Sequence, residues 1–343
     1  MNLTPDKCAI FWTSPLLPDG STPKAYVFLL IPGYSLLGFS CALEALSLAN
    51  LHPSGQTFYS WRIVGETGAP VPAYNGVTCA VDDALPPLDR HETLVVCAGD
   101  DAAIGSTRAV LNWLRRETRK GMDFGALSSG TYTLALAGLL GGKRVTTHWQ
   151  YYDALVELLP DVIIENSLFS IDGRVFTTAG GAASMDMMLA RIKGDYGVDL
   201  ATWVADQMVY TDPRGATHGQ RLSRRARPDL AHGKLGMALQ IMENNLEDPL
   251  RPEEIAALVS ISTRQLERLF AKHLNMPPKR YYLKLRLEKA RGLLRQTSLS
   301  VTDICVACGF RSLSHFSKSY RATFGLSPGQ EKRGTAAIWS ASP

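Results

Sequence analysis

The feature that most constrains this chain is a helix-turn-helix pattern that occurs twice in its last hundred residues. Ile255, Val259, Ile261, Leu266, Leu269 and Phe270 form the first set. Ile304, Cys308, Phe310, Phe316, Ser319 and Tyr320 form the second, displaced by 49 residues early and 50 late. The extra residue falls in the second turn, where Gly309-Phe310-Arg311-Ser312 answers Ser260-Ile261-Ser262. An internal repeat of a supersecondary unit implies two similar structural copies. Here it sets two similar helices on one basic segment, an arrangement that can enter two segments of a DNA major groove.

Charge divides the chain at the same place. Residues 214–343 hold 22 Lys and Arg against 10 Asp and Glu, a net of +12, whereas residues 1–213 hold 14 against 22, a net of −8. A surplus confined to one half points to a polyanionic partner for that half alone. Cys8, Cys41, Cys79, Cys97, Cys305 and Cys308 are scattered without a disulfide framework, which suits a reducing compartment. Cys305 and Cys308 fall beside Ile304 on the inner face of a predicted helix and read as small packed hydrophobes rather than metal ligands. No metal or cofactor site is expected. No apolar run approaches the ~20 residues that a bilayer-spanning helix needs, and the N-terminus lacks the layout of a signal peptide. The expectation is a soluble protein of the cytoplasm.

The first half alternates strand and helix signals. Residues 25–31 are an unbroken apolar run ending in Pro32-Gly33, as in a buried parallel strand. Leu37–Asn50 follows with helical spacing. Tyr59–Val64, Val77–Val81, Thr93–Ala98, Phe124–Leu127, Ile163–Ile164 and Val175–Thr177 are further strand candidates. Val110–Lys120, Tyr132–Leu140, Gln150–Leu159, Ser184–Tyr196 and Leu200–Tyr210 are helix candidates. This alternation predicts a doubly wound, flavodoxin-like α/β domain. Its ligands would bind beyond the carboxyl ends of the strands, at Pro32-Gly33-Tyr34, Gly99-Asp100 and Ser128-Ser129.

The predicted organisation is an N-terminal extension (1–24), the α/β domain (25–210), a linker (211–231), an all-α domain with the two helix-turn-helix units (232–333) and a tail (334–343). The linker carries a basic run that includes Arg221, Arg224 and Arg225, which reads equally as a solvated surface or as phosphate contacts. In the first unit Ser262 is a plausible N-cap for a helix over Thr263–His273. Leu266, Leu269 and Phe270 must face inward there, so Arg264, Gln265 and Arg268 face outward. Arg suits guanine O6 and N7, and Gln can pair with adenine. The second unit turns Phe316 and Tyr320 in and Ser314, His315 and Lys318 out. Between them Pro278–Gln296 predicts one continuous helix, about 28 Å long, against the ~34 Å between successive major-groove faces.

These residues carry a resemblance. Pro277-Pro278, Tyr281-Tyr282, Arg286-Leu287, Ala290 and Leu293-Leu294, followed by Ile304, Gly309-Phe310, Ser314-His315-Phe316 and Phe324-Gly325-Leu326-Ser327-Pro328, resemble the signature of AraC-family transcription regulators. The match spans nearly all of 232–333. It implies two reading helices, Thr263–His273 and Ser312–Thr323, on one face of double-stranded DNA, and it favours transcriptional activation.

Residues 25–210 resemble the PfpI-protease and class I glutamine-amidotransferase-like domain in the version fused to AraC-type regulators (GlxA-type). The matching residues are Leu30-Ile31-Pro32-Gly33-Tyr34, Ala126-Leu127-Ser128-Ser129-Gly130, Ala137-Gly138-Leu139-Leu140 and Thr146-Thr147-His148-Trp149. Enzymes of that superfamily set a cysteine on a sharp strand-to-helix turn, with a carboxylate near the first strand. This chain departs at both places. Ser128 holds the turn and Gly38 falls where the carboxylate is expected. His148 remains, either as a hydrogen-bonded core residue or as a ligand contact. A serine needs a positioned base, and His148 lacks an evident orienting acid.

The resemblance therefore implies a pocket converted from chemistry to binding, lined by Tyr34, Gly99, Ser128, Ser129, Tyr132, His148 and Trp149. Backbone N–H groups at Ser129-Gly130 would receive a carboxylate, and Tyr34, Tyr132 and Trp149 would surround an ammonium. Core packing is the competing role for each aromatic, above all for Trp149. The effector class that the resemblance suggests is glycine betaine, carnitine, related methylamines or amino acids. The expectation is a ligand-controlled DNA-binding regulator, homodimeric and without enzyme activity. Its rivals are a Ser128/His148 hydrolase or amidase fused to a DNA-binding domain, and a constitutive DNA binder whose acidic half only dimerises.

Overall fold

The computed structural model describes residues 22–99, 102–159, 162–216, 218–220, 233–297 and 299–333. Most of the N-terminal extension, the arginines at 221, 224 and 225, and the tail from 334 lie outside the described residues. The chain divides into two compact units, Met1–Gln220 and Arg221–Pro343.

The first unit is built on a seven-stranded sheet. In chain order its strands are β1 (Lys24–Leu30), β2 (Tyr59–Gly65), β5 (Asp83–Ala84), β6 (Glu92–Cys97), β7 (Phe124–Leu127), β10 (Phe169–Asp172) and β11 (Val175–Thr178). Two two-stranded ribbons lie apart from it, β3 (Val71–Pro72) with β4 (Thr78–Cys79), and β8 (Arg144–Val145) with β9 (Ile163–Ile164). The spatial order is β10-β11-β7-β6-β1-β2-β5, parallel throughout except where β10 pairs antiparallel with β11. β1 is an interior strand, with Phe28 opposite Ile63 on one side and Val95 on the other. Side chains alternate across a strand, so Tyr26, Phe28 and Leu30 enter one core while Val27 and Leu29 enter the other. The first core is covered by α1 (Leu36–Ala49), α6 (Ala183–Tyr196) and α7 (Val198–Gln207). The second lies under α2 (Ala102–Gly105), α3 (Arg108–Thr118), α4 (Gly130–Leu136) and α5 (Tyr152–Leu158). This is the doubly wound α/β fold expected from the sequence.

Three local readings change. The strand expected over Val77–Val81 shrinks to the two residues of β4, which pairs with β3 in a separate ribbon. The helix expected from Gln150 starts as a 3-10 turn over Trp149–Tyr151. The hairpin partner β10 had no counterpart in the sequence reading, although Asp172-Gly173 at its tip is a tight-turn pair and Gly173 has φ +62°.

The helices of the second unit include α8 (Lys234–Asn244), α9 (Pro252–Leu258), α10 (Thr263–Leu274), α11 (Pro278–Gln296), α12 (Val301–Ala307) and α13 (Leu313–Phe324), and residues 328–333 are helical as well. Leu235, Leu239, Ile255, Val259, Leu266, Phe270 and Tyr282 close one small core. Leu287, Ala290, Leu294, Ile304, Cys308, Phe310, Phe316 and Tyr320 close the other. The 19-residue α11 feeds both, Tyr282 into the first and Leu287 onward into the second. The repeat extends to the helix ends. Asn275 and Gly325, fifty residues apart, are the left-handed C-caps of α10 and α13, a conformation that releases the last carbonyls to local donors. Ser260 (φ +54°) and Gly309 (φ +70°) hold the left-handed position in the two turns.

Candidate functional site

The carboxyl ends of β1, β6, β7 and β11 meet at one edge of the sheet. Winding reverses between β1 and β6, which opens a crevice at that point in folds of this kind. Ser128 follows β7 directly and has φ +58°. A non-glycine residue there is strained and persists only where surrounding contacts over-determine it. Those contacts are visible. The Ser128 N–H donates to the Thr178 carbonyl at 3.0 Å, and its carbonyl accepts from the Thr147 hydroxyl at 3.1 Å. Gly180 approaches so closely that a Cβ there would stand 2.5 Å from that of Ser128. The Ser128 side chain is nearly buried, and its hydroxyl has no hydrogen-bond partner among the described residues.

Around this turn the expected residues divide. Gly99 and Ser129 do join Ser128, but as framework. The buried Ser129 hydroxyl and the Tyr151 hydroxyl both donate to the Gly99 carbonyl, at 2.5 and 3.0 Å. Gly99 has to be glycine, since a Cβ would lie 1.9 Å from the Gly33 carbonyl oxygen. Tyr34 and Tyr132 do not form a cage with Trp149. Tyr34 is fully buried in the core under α1 and α6, edge-on to Phe39 with centroids 5.7 Å apart. Tyr132 is buried on the opposite side of the sheet, near Tyr151. Trp149 is 41% exposed, with His148 half-buried 5.4 Å from it between ring centroids. An aromatic cage needs its rings on one side of the sheet, and these lie on both. Burial pushes the Tyr34 and Tyr132 hydroxyls up to about 12, so both stay neutral.

Gly38 lies in the first turn of α1. A Cβ there would come within 3.3 Å of both the Gly181 N–H nitrogen and the Ser184 hydroxyl, so its absence lets the N-termini of α1 and α6 pack closely. The Ser184 hydroxyl is buried without a hydrogen-bond partner among the described residues. Gly180, Gly181 and Ser184 were not singled out from the sequence. The Gly-Gly pair ahead of a helix was the available signal.

The first unit extends past the linker start at 211 that the sequence suggests, to Gln220. Arg214 donates to the buried Asp186 carboxylate from its backbone N–H (2.7 Å) and its guanidinium (2.7 and 3.1 Å), and the Tyr210 hydroxyl adds a bond at 2.8 Å. The Gln220 amide donates to Thr146 Oγ1, the Thr147 carbonyl and the Ser167 carbonyl at 2.8–3.0 Å. Residues 211–220 therefore belong to the first unit. They are held by Asp186 in the first turn of α6 and by the Thr147 that also bonds Ser128.

In the second unit all six expected DNA-reading residues are exposed: Arg264, Gln265 and Arg268 on α10, and Ser314, His315 and Lys318 on α13. Gln265 has a second occupation. Its side-chain carbonyl accepts from the Ser262 N–H at 2.9 Å while the Ser262 hydroxyl accepts from the Gln265 N–H, a complete capping box. With that oxygen engaged, the two-bond pairing with adenine is not available in this conformation. On α13, Ser312 accepts from the His315 N–H, and His315 does not return the bond as Gln265 does. Cys305 and Cys308 are buried, and burial pushes the Cys305 thiol up, as befits packed hydrophobes. Among the described residues no group of three or more His, Cys, Asp or Glu could hold a metal ion. Among the described residues no helix is long and apolar enough to cross a membrane.

A strained strand-to-helix turn in a doubly wound α/β domain, joined in one chain to paired helix-turn-helix units, defines a class: a DNA-binding regulator with an N-terminal α/β domain. The chain belongs to the AraC-family transcription regulators that carry an N-terminal DJ-1/PfpI-type domain. Residues 23–194 match the DJ-1/PfpI family and residues 255–334 match a helix-turn-helix domain. The HTH-type transcriptional regulator CdhR of Pseudomonas aeruginosa is 43% identical over 305 residues, 89% of this chain and 90% of that one. The HTH-type transcriptional regulator GbdR of Pseudomonas aeruginosa is 38% identical over 317 residues, 92% and 86% of the two chains. A THiJ/PfpI family protein from Pseudomonas syringae shares the fold at TM-score 0.51 and 20% identity, over 67% of this chain and 92% of that one. Like those relatives this chain is a regulator of transcription and not an enzyme, which removes the hydrolase alternative.

Proposed function

We propose that this regulator is controlled by a small zwitterionic metabolite, a betaine, carnitine or an amino acid, bound beside Ser128. The observation that carries the reading is the Ser128 turn itself. Its strained backbone is held by Thr178 and Thr147, yet its hydroxyl has no partner among the described residues. A carboxylate accepts from that hydroxyl and from the N–H groups at Ser129-Gly130. The ammonium end faces His148 and the exposed Trp149, whose ring supplies cation–π attraction. The regulator acts as a homodimer in the cytoplasm and activates its promoters. Arg264, Arg268, Ser314, His315 and Lys318 contact bases, while Gln265 chiefly caps its helix.

Thermal unfolding of the full chain with glycine betaine, carnitine and single amino acids tests the effector. A ligand at a hundredfold excess over its Kd stabilises the folded state by about 2.7 kcal/mol. One compound class should raise the melting temperature of the first unit. No shift with any of them would leave a constitutive DNA binder whose acidic half serves only to dimerise.

A further inference from the structure

The two helix-turn-helix units are bolted together at one junction, and the bolt is not the connecting helix alone. Tyr282 and Arg286 stand one turn apart on α11. The Tyr282 hydroxyl donates to the Asn245 carbonyl at the end of α8, the helix that packs into the first core. Arg286 donates from Nε to the Cys308 carbonyl at 2.8 Å and from its terminal nitrogen to the Gly309 carbonyl at 2.6 Å, in the turn of the second. Its guanidinium also lies over the Phe310 ring, 4.1 Å from the centroid. The two halves touch directly at the same point. A Cβ on Gly309 would come within 2.6 Å of the Leu246 and Glu247 carbonyl oxygens and 2.8 Å of the Pro249 ring. The equivalent position in the first turn, Ser260, is exposed.

Planar, two-pronged bonding by arginine fixes direction as well as distance. Here both prongs grip backbone carbonyls of the segment that leads into α13. A helix joining two reading units could still let them swivel. A three-way contact of α11, residues 245–249 and residues 308–310 removes that freedom.

We propose that Arg286, with Tyr282 and Gly309, sets the spacing specificity of DNA recognition. Arg286 is a positioning residue, and the pair of reading helices acts as a ruler of one length. The inference rests on the assignment of α10 and α13 as the two reading helices. On B-DNA each inserted base pair moves the second segment by ~3.4 Å and turns it by ~34°, so a stiff ruler rejects it.

The test uses full-length protein and a site selected from random duplex DNA. Hydroxyl-radical footprinting first establishes whether two segments about one helical turn apart are protected. A single protected segment would overturn the two-helix assignment itself. Binding is then measured on sites with one or two base pairs added or removed between the segments. The wild type should lose at least ~10-fold per change, as one misplaced contact segment would cost. Arg286→Lys keeps the charge but not the two-pronged grip, and Tyr282→Phe removes a single hydroxyl. Both should flatten the spacing dependence to within about threefold, because a loosened joint lets the second helix follow the displaced groove. A merely structural or phosphate-contacting role would weaken every spacing equally. An unchanged ratio between spacings in Tyr282→Phe and in any folded Arg286→Lys protein would overturn the proposal, as would a wild type indifferent to spacing.

Discussion

Gly180 and Ser128 meet with no room for a methyl group between them, and both have positive φ, +84° and +58°. The turns after β7 and β11 thus brace each other at the carboxyl ends of the strands. Gly180→Ala adds an overlapping Cβ and an unfavourable φ, so it should destabilise the first unit by about 1–3 kcal/mol. Ser128→Ala removes an unbonded oxygen and should change stability by less than about 0.5 kcal/mol. Chemical denaturation of both variants checks the pair. In a reporter strain, Ser128→Ala should still activate transcription but need about 10-fold more effector, because the carboxylate loses one charge-assisted hydrogen bond while no chemistry depends on the hydroxyl.

The fastening of the exit segment gives a larger effect. Asp186 is completely buried and its charge is met by Arg214, with help from Tyr210. Arg214→Ala leaves the carboxylate with the Tyr210 hydroxyl and one backbone N–H. Removing one partner of a buried pair costs about 3–5 kcal/mol, and the surviving bonds place this case near the lower figure. Thermal melts should show that loss, and hydrogen exchange should show faster opening of residues 208–220. Exchange no faster than in the wild type would mean that Gln220 alone holds the segment.

Acid should act on the second unit through Glu331. Burial pushes its carboxyl up, but Arg295 at 2.7 Å and Arg291 at 3.2 Å outweigh that and hold it below its usual value of 4.5. A depressed folded-state pKa contributes stability above the unfolded value, and that contribution is lost as pH falls through the folded value. Stability of the DNA-binding half should therefore decline as pH falls below the usual carboxyl value of 4.5. Glu331→Gln should be less stable at pH 7 and show a shallower acid limb. Urea midpoints at pH 7, 5 and 3.5 decide. Parallel curves for wild type and variant would exclude Glu331 as the titrating group.

What could be read from the residues was whatever repeats locally. Apolar runs such as 25–31 announce buried parallel strands, and the 49- and 50-residue displacement announces the paired units. The Ser128 turn was legible because it sits between an apolar strand and a helix. Misplacements came from facts that adjacency cannot supply. Tyr34 and Tyr132 are separated by the sheet, which depends on the parity of each strand's exit. Gln265 looks free on a helical wheel, yet its oxygen turns back to Ser262. Arg214 and Gln220 sit in polar, Gly-rich sequence that resembles a linker, and their partners lie 28 and 53–74 residues away. The short β10 lacks the length that marks a strand, and its pairing with β11 defines it.

The two helices proposed to read DNA allow a contrast that separates specificity from stability. Arg268 and Lys318 occupy equivalent exposed positions on α10 and α13. If each contacts a base, Arg268→Ala and Lys318→Ala should each cost about 1–3 kcal/mol at the selected site and relax the preference at one position. Uniform weakening across all sequences would mark a phosphate contact instead. Gln265→Ala should behave differently. It opens the capping box at Ser262, so about 1 kcal/mol of stability should be lost, with little change in which bases are preferred. Urea melts and competition binding against single-base variants of the site measure the two quantities side by side. A base-specific defect in Gln265→Ala at unaltered stability would show that the side chain leaves its cap to read DNA.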